Sequence, residues 1–360
     1  MGRKISNSER FDGAFLGFAI GDAFGHPART LSFEEICERF ESAGCLDLAV
    51  SKKSATALFT DATQLMLFTA DGIVWADYES KGKEINYTGF VFYSYQVWLY
   101  TQTKSIAGKE YAWIFDERKN KYHLRLLRAK GLYKNRSLDN TNIDALLKAK
   151  EHNYGKINSK INDNNDNGAL KRVMTAGLYF NYEPEIAFRA GADFAAITHC
   201  NPSAYLSAGC YSAMLACIVN GDTIENAAKR AIKILTSYEG YSEVYKALET
   251  ALELLDEASL TPRESIGQLG TGHTASQALA IAVFCAILHN DSYVHAIQLA
   301  VNHDGASEVC AALAGALIGV SKGRKIIPSR WIKKIQYKNL LLDMSEQLYD
   351  VTVFAQEEEF

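Results

Sequence analysis

Thr60-Asp61-Ala62-Thr63 stands where the apolar run Ala57-Leu58-Phe59 gives way to a helix start. A Thr-Asp pair in that position has two uses. Its oxygens can accept from the free N–H groups of the first helical turn, or they can serve a hard, oxygen-seeking cation. Three further stretches carry comparable chemistry. Residues 19–29, AIGDAFGHPAR, embed Asp22 in a Gly-rich passage from helix to loop. Residues 162–173, NDNNDNGALKRV, read as a polar Asn/Gly loop ending in a helix start. Backbone N–H groups of such a loop can cradle an anion such as a diphosphate. Residues 302–315, NHDGASEVCAALAG, run from a polar loop into a small-residue helix. There Asp304 and Glu308 share a face if the helix begins early. Taken singly, each has a plain structural reading: Asp61 a cap, the Asn loop a turn with Asp163 and Asp166 solvated, His303 a satisfied loop histidine.

The elements that must hold these residues read as helices. The chain has 360 residues, only five of them Pro, and no series of alternating apolar and polar strands is bounded by turn signals. In FDGAFLGFAIGDAFG small residues recur at helical spacing, which lets helix backbones approach closely. TIENAAKRAIKIL places Ala227, Ala228, Ala231 and Ile232 on one side and its charges on the other. TASQALAIAVFCAILH and CAALAGALIGV are apolar nearly all round, as expected of helices buried in a large all-α domain. AYLSAGCYSAMLACIV is too short and too polar for a membrane span and reads as a core helix. No Ser/Gly/Pro linker interrupts the chain, so 1–360 reads as a single domain.

Charge and cysteine usage exclude several functions. The net charge is −4, which speaks against a nucleic-acid binder or a membrane-surface protein. The seven Cys show no C-x-x-C spacing, and several fall inside apolar helical patterns. That usage points to a reducing, cytoplasmic setting without disulfides or zinc. One tract departs from the average: residues 102–160 hold 14 Lys/Arg against 6 Asp/Glu. It reads as a solvated basic helical excursion, with docking of a protein partner as the alternative.

The order of these stretches resembles the ADP-ribosylglycohydrolase family from roughly Arg10 to Trp331. Family members read G-x-x-x-G-D-A-x-G-x-P-x-E, then T-D-D-T, then N-G-x-x-x-R-V, then T-H-x-x-P, then N-H-x-G-D-S-D-T/S. The corresponding text here is GFAIGDAFGHPAR, TDAT, DNGALKRV, THCNP, GTGHTASQALAIA and NHDGASEVCAALAGALIG. The resemblance implies an all-α fold of the orthogonal helical type and a cleft for ADP-ribose. In active members it implies two magnesium ions between the first and last acidic motifs. It assigns Asn167 and Gly168 to the diphosphate loop, with Arg172 as the loop's anchor. It places His199 near the ribose end and Gly270 and Gly272 along the cleft.

The departures fall on the metal motifs. Ala62 stands where relatives have a second Asp, and D-S-D-T has become Ala306, Ser307, Glu308 and Val309. Arg29 occupies the position where many relatives carry a cleft Glu. Thr60, Asp61 and Glu308 remain as metal ligands, with Asp304 a possible addition. Two carboxylates and a hydroxyl are a poor set for two Mg²⁺ ions that demand near-octahedral oxygen geometry. The expectation is therefore a protein that binds ADP-ribose or an ADP-ribosylated protein without cleaving it and needs no cofactor. Two alternatives stand beside it. One is an active ADP-ribosyl hydrolase with a rewired Mg²⁺ site, using Asp61, Glu308 and Asp304. The other is an immunity- or effector-type interaction protein that docks through 102–160.

Overall fold

The computed structural model describes residues 5–40, 44–80, 83–103, 113–114, 124–136, 140–149 and 153–358. Among the described residues the chain is all-α, with 17 helices and no strands. In chain order these are α1 Asn7–Gly25, α2 Phe33–Arg39, α3 Asp61–Ser80, α4 Tyr87–Thr103, α5 Leu124–Arg128 and α6 Asn140–Lys148. Then come α7 Met174–Tyr179, α8 Pro184–Ala196, α9 Pro202–Val219, α10 Ile224–Leu235, α11 Ser242–Glu253 and α12 Pro262–Leu269. The chain closes with α13 Ala275–Leu288, α14 Tyr293–Val301, α15 Ser307–Lys322, α16 Ser329–Lys334 and α17 Lys338–Glu358.

The small-residue spacing of the first helix has a direct structural consequence. Gly13, Gly17, Gly21 and Gly25 face Gly319, Gly315, Ala311 and Glu308 in turn, so α1 and α15 run antiparallel with their backbones in contact. A Cβ at Gly17 would lie 2.2 Å from the Gly315 carbonyl oxygen, and one at Gly25 would lie 2.5 Å from the Glu308 Cα. Only hydrogen fits at these positions, and the seam brings two acidic stretches far apart in sequence together. Tyr293 ties it from the side, its hydroxyl donating to the Gly17 carbonyl at 2.6 Å.

The apolar helices lie where their patterns put them. In α9 all residues from Ser203 to Val219 are buried, so this helix, though long and apolar enough to cross a membrane by length and composition, is interior here. In α13 every residue from Ala275 to Ala286 except Gln277 is buried. The amphipathic α10 buries Ala227, Ala228 and Ala231, is capped by Thr223, and leaves Ile232 half-buried at the edge of its apolar face. Six of the seven Cys are buried and all are free, filling space as small hydrophobes.

Part of the basic tract lies outside the described residues, namely 104–112, 115–123, 137–139 and 150–152. What is described is tied back to the body of the fold. Arg125 pairs with Asp343 on α17. The Gly131 N–H donates to the Tyr337 hydroxyl at 2.7 Å, and Arg136 donates to the Phe59 carbonyl and to Gln336.

Candidate functional site

The start of α3 shows how Thr60 and Asp61 are divided between capping and charge. The Thr60 hydroxyl accepts from the Ala62 N–H at 3.1 Å, the short-range contact of a capping side chain. The Asp61 carboxylate turns instead to Lys171, whose ammonium lies 3.1 and 3.0 Å from its two oxygens. Both side chains are almost wholly buried, at 5% and 2% exposure. The capping expected of Asp61 falls partly to Asp22, which reaches across from α1. One Asp22 oxygen accepts from the Thr60 N–H, the Thr63 N–H and the Thr63 hydroxyl at 3.0, 3.1 and 2.6 Å. Its other oxygen is buried without a hydrogen-bond partner.

Glu308 lies in the first turn of α15, buried against Gly25. Arg29 donates from Nε to its carboxylate at 2.7 Å, while the second Glu308 oxygen has no hydrogen-bond partner. Burial pushes the Glu308 pKa up to about 7, although Arg29 and Lys171 pull it down and Asp22 adds to the rise. Three carboxylates and two cations thus share one neighbourhood. His26 lies at its edge. Burial holds the His26 pKa below its ordinary value against the pull of Asp22, with Arg136, Arg29 and Arg39 adding to the depression.

Asp304 does not join this group through the helix. Because α15 begins at Ser307, Asp304 lies in the preceding loop and shares no helical face with Glu308. Its carboxylate accepts from the Phe33 N–H at 2.7 Å and so caps α2. The loop is pinned to residues 30–31 by two backbone hydrogen bonds, Thr30 to Gly305 and Gly305 to Leu31.

The Asn-rich loop makes the second half of the site. Asp166, expected to be solvated, is its hub. It accepts from the Gly168 N–H at 2.8 Å, from the Thr141 hydroxyl at 2.7 Å, and bonds His199 Nε2 at 2.7 Å. Burial acts to raise its pKa, but the hydrogen bond and electrostatic pull of His199, with the bonds from Thr141 and Gly168, outweigh that and hold it below the ordinary carboxylate range. His199 is fully buried, and its other ring nitrogen meets the Thr198 hydroxyl at 2.8 Å. The Gly168 N–H and both His199 nitrogens are therefore engaged inside the protein. Asn167 stitches the loop to the Gly-rich turn, donating from its side chain to the Gly272 carbonyl at 2.7 Å and from its backbone to His273. That turn needs glycine at Gly270 and Gly272, with φ of 106° and 73°. Gly270 also borders a cavity of about 340 Å³ lined by Thr271, His303, Asp304 and Arg263 among others.

Arg172 anchors the loop, as its position in the motif implies. It is completely buried, donates to Asn142, Thr198 and the Phe194 carbonyl, and stacks 4.5 Å from the Tyr95 ring centre. Lys171 and Arg172 belong to one tight turn, Leu170–Arg172. Successive residues of such a turn point about 120° apart, so one base goes to α3 and the other beneath the loop. Asp22 and Lys171 are the residues that motif reading missed. Asp22 was in view as part of GDAFG, while the signal for Lys171 was a Lys-Arg pair set between the apolar residues Leu170 and Val173, where a buried charge needs a partner.

A profile of the ADP-ribosylglycohydrolase family matches residues 3–358, and the chain belongs to that family. It is 21% identical to an uncharacterized protein of Archaeoglobus fulgidus over 95% of this chain and 97% of that one. It is 26% identical to the ADP-ribosylhydrolase ARH3 of Danio rerio over 31% of this chain and 33% of that one. Among solved structures it is similar to an ADP-ribosylglycohydrolase-related protein complex, with a TM-score of 0.61 and 19% identity, covering 96% of this chain and 99% of the other. The fold is shared at that level.

The family is typically metal-dependent, and the residues present do not fit a pair of magnesium ions. Ala62, Ala306 and Val309 supply no side-chain oxygen. Asp61 and Glu308 already hold cationic side chains. Among the described residues no group of three or more His, Cys, Asp or Glu is arranged to hold a metal ion.

Proposed function

We propose that this protein keeps the family's cleft and binds an ADP-ribosyl group there, free or attached to a protein, without dimagnesium hydrolysis. The observation that carries this reading is Arg29 on Glu308. A guanidinium oriented through Nε by a buried carboxylate leaves its remaining N–H groups for a ligand, and they match the planar fork that phosphate oxygens accept. The Arg29 side chain is 35% exposed, and among the described residues its hydrogen bonding is confined to Glu308. Arg136 and Arg39 stand close enough to act on His26 beside it, which favours an anion at the mouth of the site. The stitched Asn167 and Gly272 loops supply a rigid wall.

One observation favours the second reading, hydrolysis at a rewired site. Asp22 and Glu308 each retain a buried carboxylate oxygen without a hydrogen-bond partner, and such oxygens suit a single cation. Calorimetric titration with ADP-ribose, with and without magnesium, separates the two. Equal affinity in both conditions is the expected outcome. Affinity that appears only with magnesium would favour the rewired hydrolase, and release of ADP-ribose from a modified protein would then be measured. Absence of binding in both conditions would sink the ligand-binding reading.

A further inference from the structure

Lysine is rarely buried without a partner, and at Lys171 the partner is a carboxylate at the position that resemblance gives to a metal ligand. We propose that Lys171 is a resident counter-ion for Asp61, with Arg29 its equivalent for Glu308, so that covalently attached cations stand on these two carboxylates in place of exchangeable ones. The proposal rests on the metal-independent reading of the cleft and deepens it.

Geometry carries the argument. The ammonium bridges both Asp61 oxygens nearly symmetrically, at 3.0 and 3.1 Å, so it neutralises the whole carboxylate. It arrives from the turn Leu170–Arg172, which is locked from below by Arg172 and from the side by Asn167, whose carbonyl accepts the Lys171 N–H. Lys171 is thus held by the same loop that walls the cleft, and the shape of the acidic pocket is coupled to the shape of that wall. In the second pair Arg29 approaches from the turn after α1, where the glycine seam presses Gly25 onto Glu308. Asp61 and Glu308, far apart in the chain, each have a basic side chain at hydrogen-bond distance. A pocket held by such pairs keeps its shape whatever the divalent ion concentration.

A double-mutant cycle tests the assignment. Wild type, Lys171→Met, Asp61→Asn and the double variant are melted with and without magnesium chloride. The expected result is a wild-type melting temperature indifferent to magnesium, a loss of several degrees in each single variant, and a smaller loss in the double variant than the sum of the two. Breaking a buried pair strands a charge, whereas removing both partners does not. Losses that simply add, in a wild type indifferent to magnesium, would overturn the counter-ion assignment and leave the metal-independent reading standing. A wild type that itself melts higher with magnesium would overturn both. If Lys171→Met yields no folded protein, Lys171→Arg retains the charge. It is expected to fold and to ignore magnesium, and a magnesium-dependent melting temperature in that variant would overturn the proposal.

Discussion

The two halves of the candidate site are built on opposite principles. On the loop side hydrogen bonds among neutral and complementary groups fix the geometry: Asp166 takes three partners, His199 uses both nitrogens, and Asn167 joins two loops, with Arg172 Nε left without a hydrogen-bond partner. On the acidic side two of the three carboxylates are paired with cations, and one oxygen of Asp22 and one of Glu308 have no hydrogen-bond partner. Hydrogen bonds dominate the first half and charge pairs the second. Where the metal motifs depart from the family pattern, basic side chains stand on Asp61 and Glu308; where the loop motifs match it, Asp166, His199 and Asn167 are joined by hydrogen bonds.

If the loop side is a rigid wall, its anchor should be the most costly residue to remove. Replacing Arg172 by Met would remove the charged donor shared by Asn142, Thr198 and the Phe194 carbonyl and the cation stacked on Tyr95. A loss of about 3–5 kcal/mol is expected, from two or more buried hydrogen bonds to a charged donor at about 1.5–3 kcal/mol each, read as the denaturant midpoint at constant slope. A loss below about 1 kcal/mol would mean that the loop is held by packing instead, and the contrast between the halves would fall.

The acidic side should reveal itself in its response to pH. The Glu308 pKa is raised from its ordinary 4.5 to about 7 in the folded protein, so the folded state binds its proton more tightly than the unfolded state. Stability from this group is full below the ordinary value and is lost as pH rises through about 7. The shift corresponds to a loss on the order of 3 kcal/mol across that window. Glu308→Gln, which cannot titrate, is expected to flatten that part of the profile measured by chemical denaturation at a series of pH values. An unchanged profile in the variant would place the titration elsewhere.

A change at Asp166 sharpens the comparison from the other side. Asp166→Asn keeps the shape but removes the charge that His199, Thr141 and Gly168 all meet, and about 2 kcal/mol should be lost with it. Because the carboxyl is held below its ordinary range, its contribution is present at neutral pH and lost as pH falls below that range. The Asn variant should therefore differ from wild type most at neutral pH and least in acid, the reverse of the Glu308 behaviour.

How much of this was legible beforehand follows from the same contrast. The all-α fold, the buried α9 and α13 and the close approach of α1 were readable because helical periodicity and glycine spacing are local properties. Arg172 as an anchor was readable from its place in a motif. The roles of Asp166, His199 and Lys171 were not, because each depends on which residue a side chain meets across more than 25 positions of chain. Asp166 reads as a solvated loop residue until His199, 33 residues later, is brought onto it. Ala62 marks a missing oxygen, but nothing near it announces that Lys171, 110 residues away from Asp61, arrives there.

The smallest effect is expected at Asp304, and it decides on which side of the comparison that residue belongs. Its carboxylate caps α2 through the Phe33 N–H, a helix that already has Ser32 and Glu35 in a reciprocal capping box. The loop around it keeps its two backbone bonds to residues 30–31 without the side chain. Asp304→Ala should therefore cost about 1 kcal/mol, the usual worth of a cap, equally with and without magnesium, and should leave the affinity for ADP-ribose within about twofold, a difference under about 0.5 kcal/mol. A residue that helped a rewired site hold a cation would behave differently, its removal abolishing any magnesium-dependent gain in melting temperature or binding. Such a result would move Asp304 from the scaffold to the acidic half and bring the hydrolase reading forward.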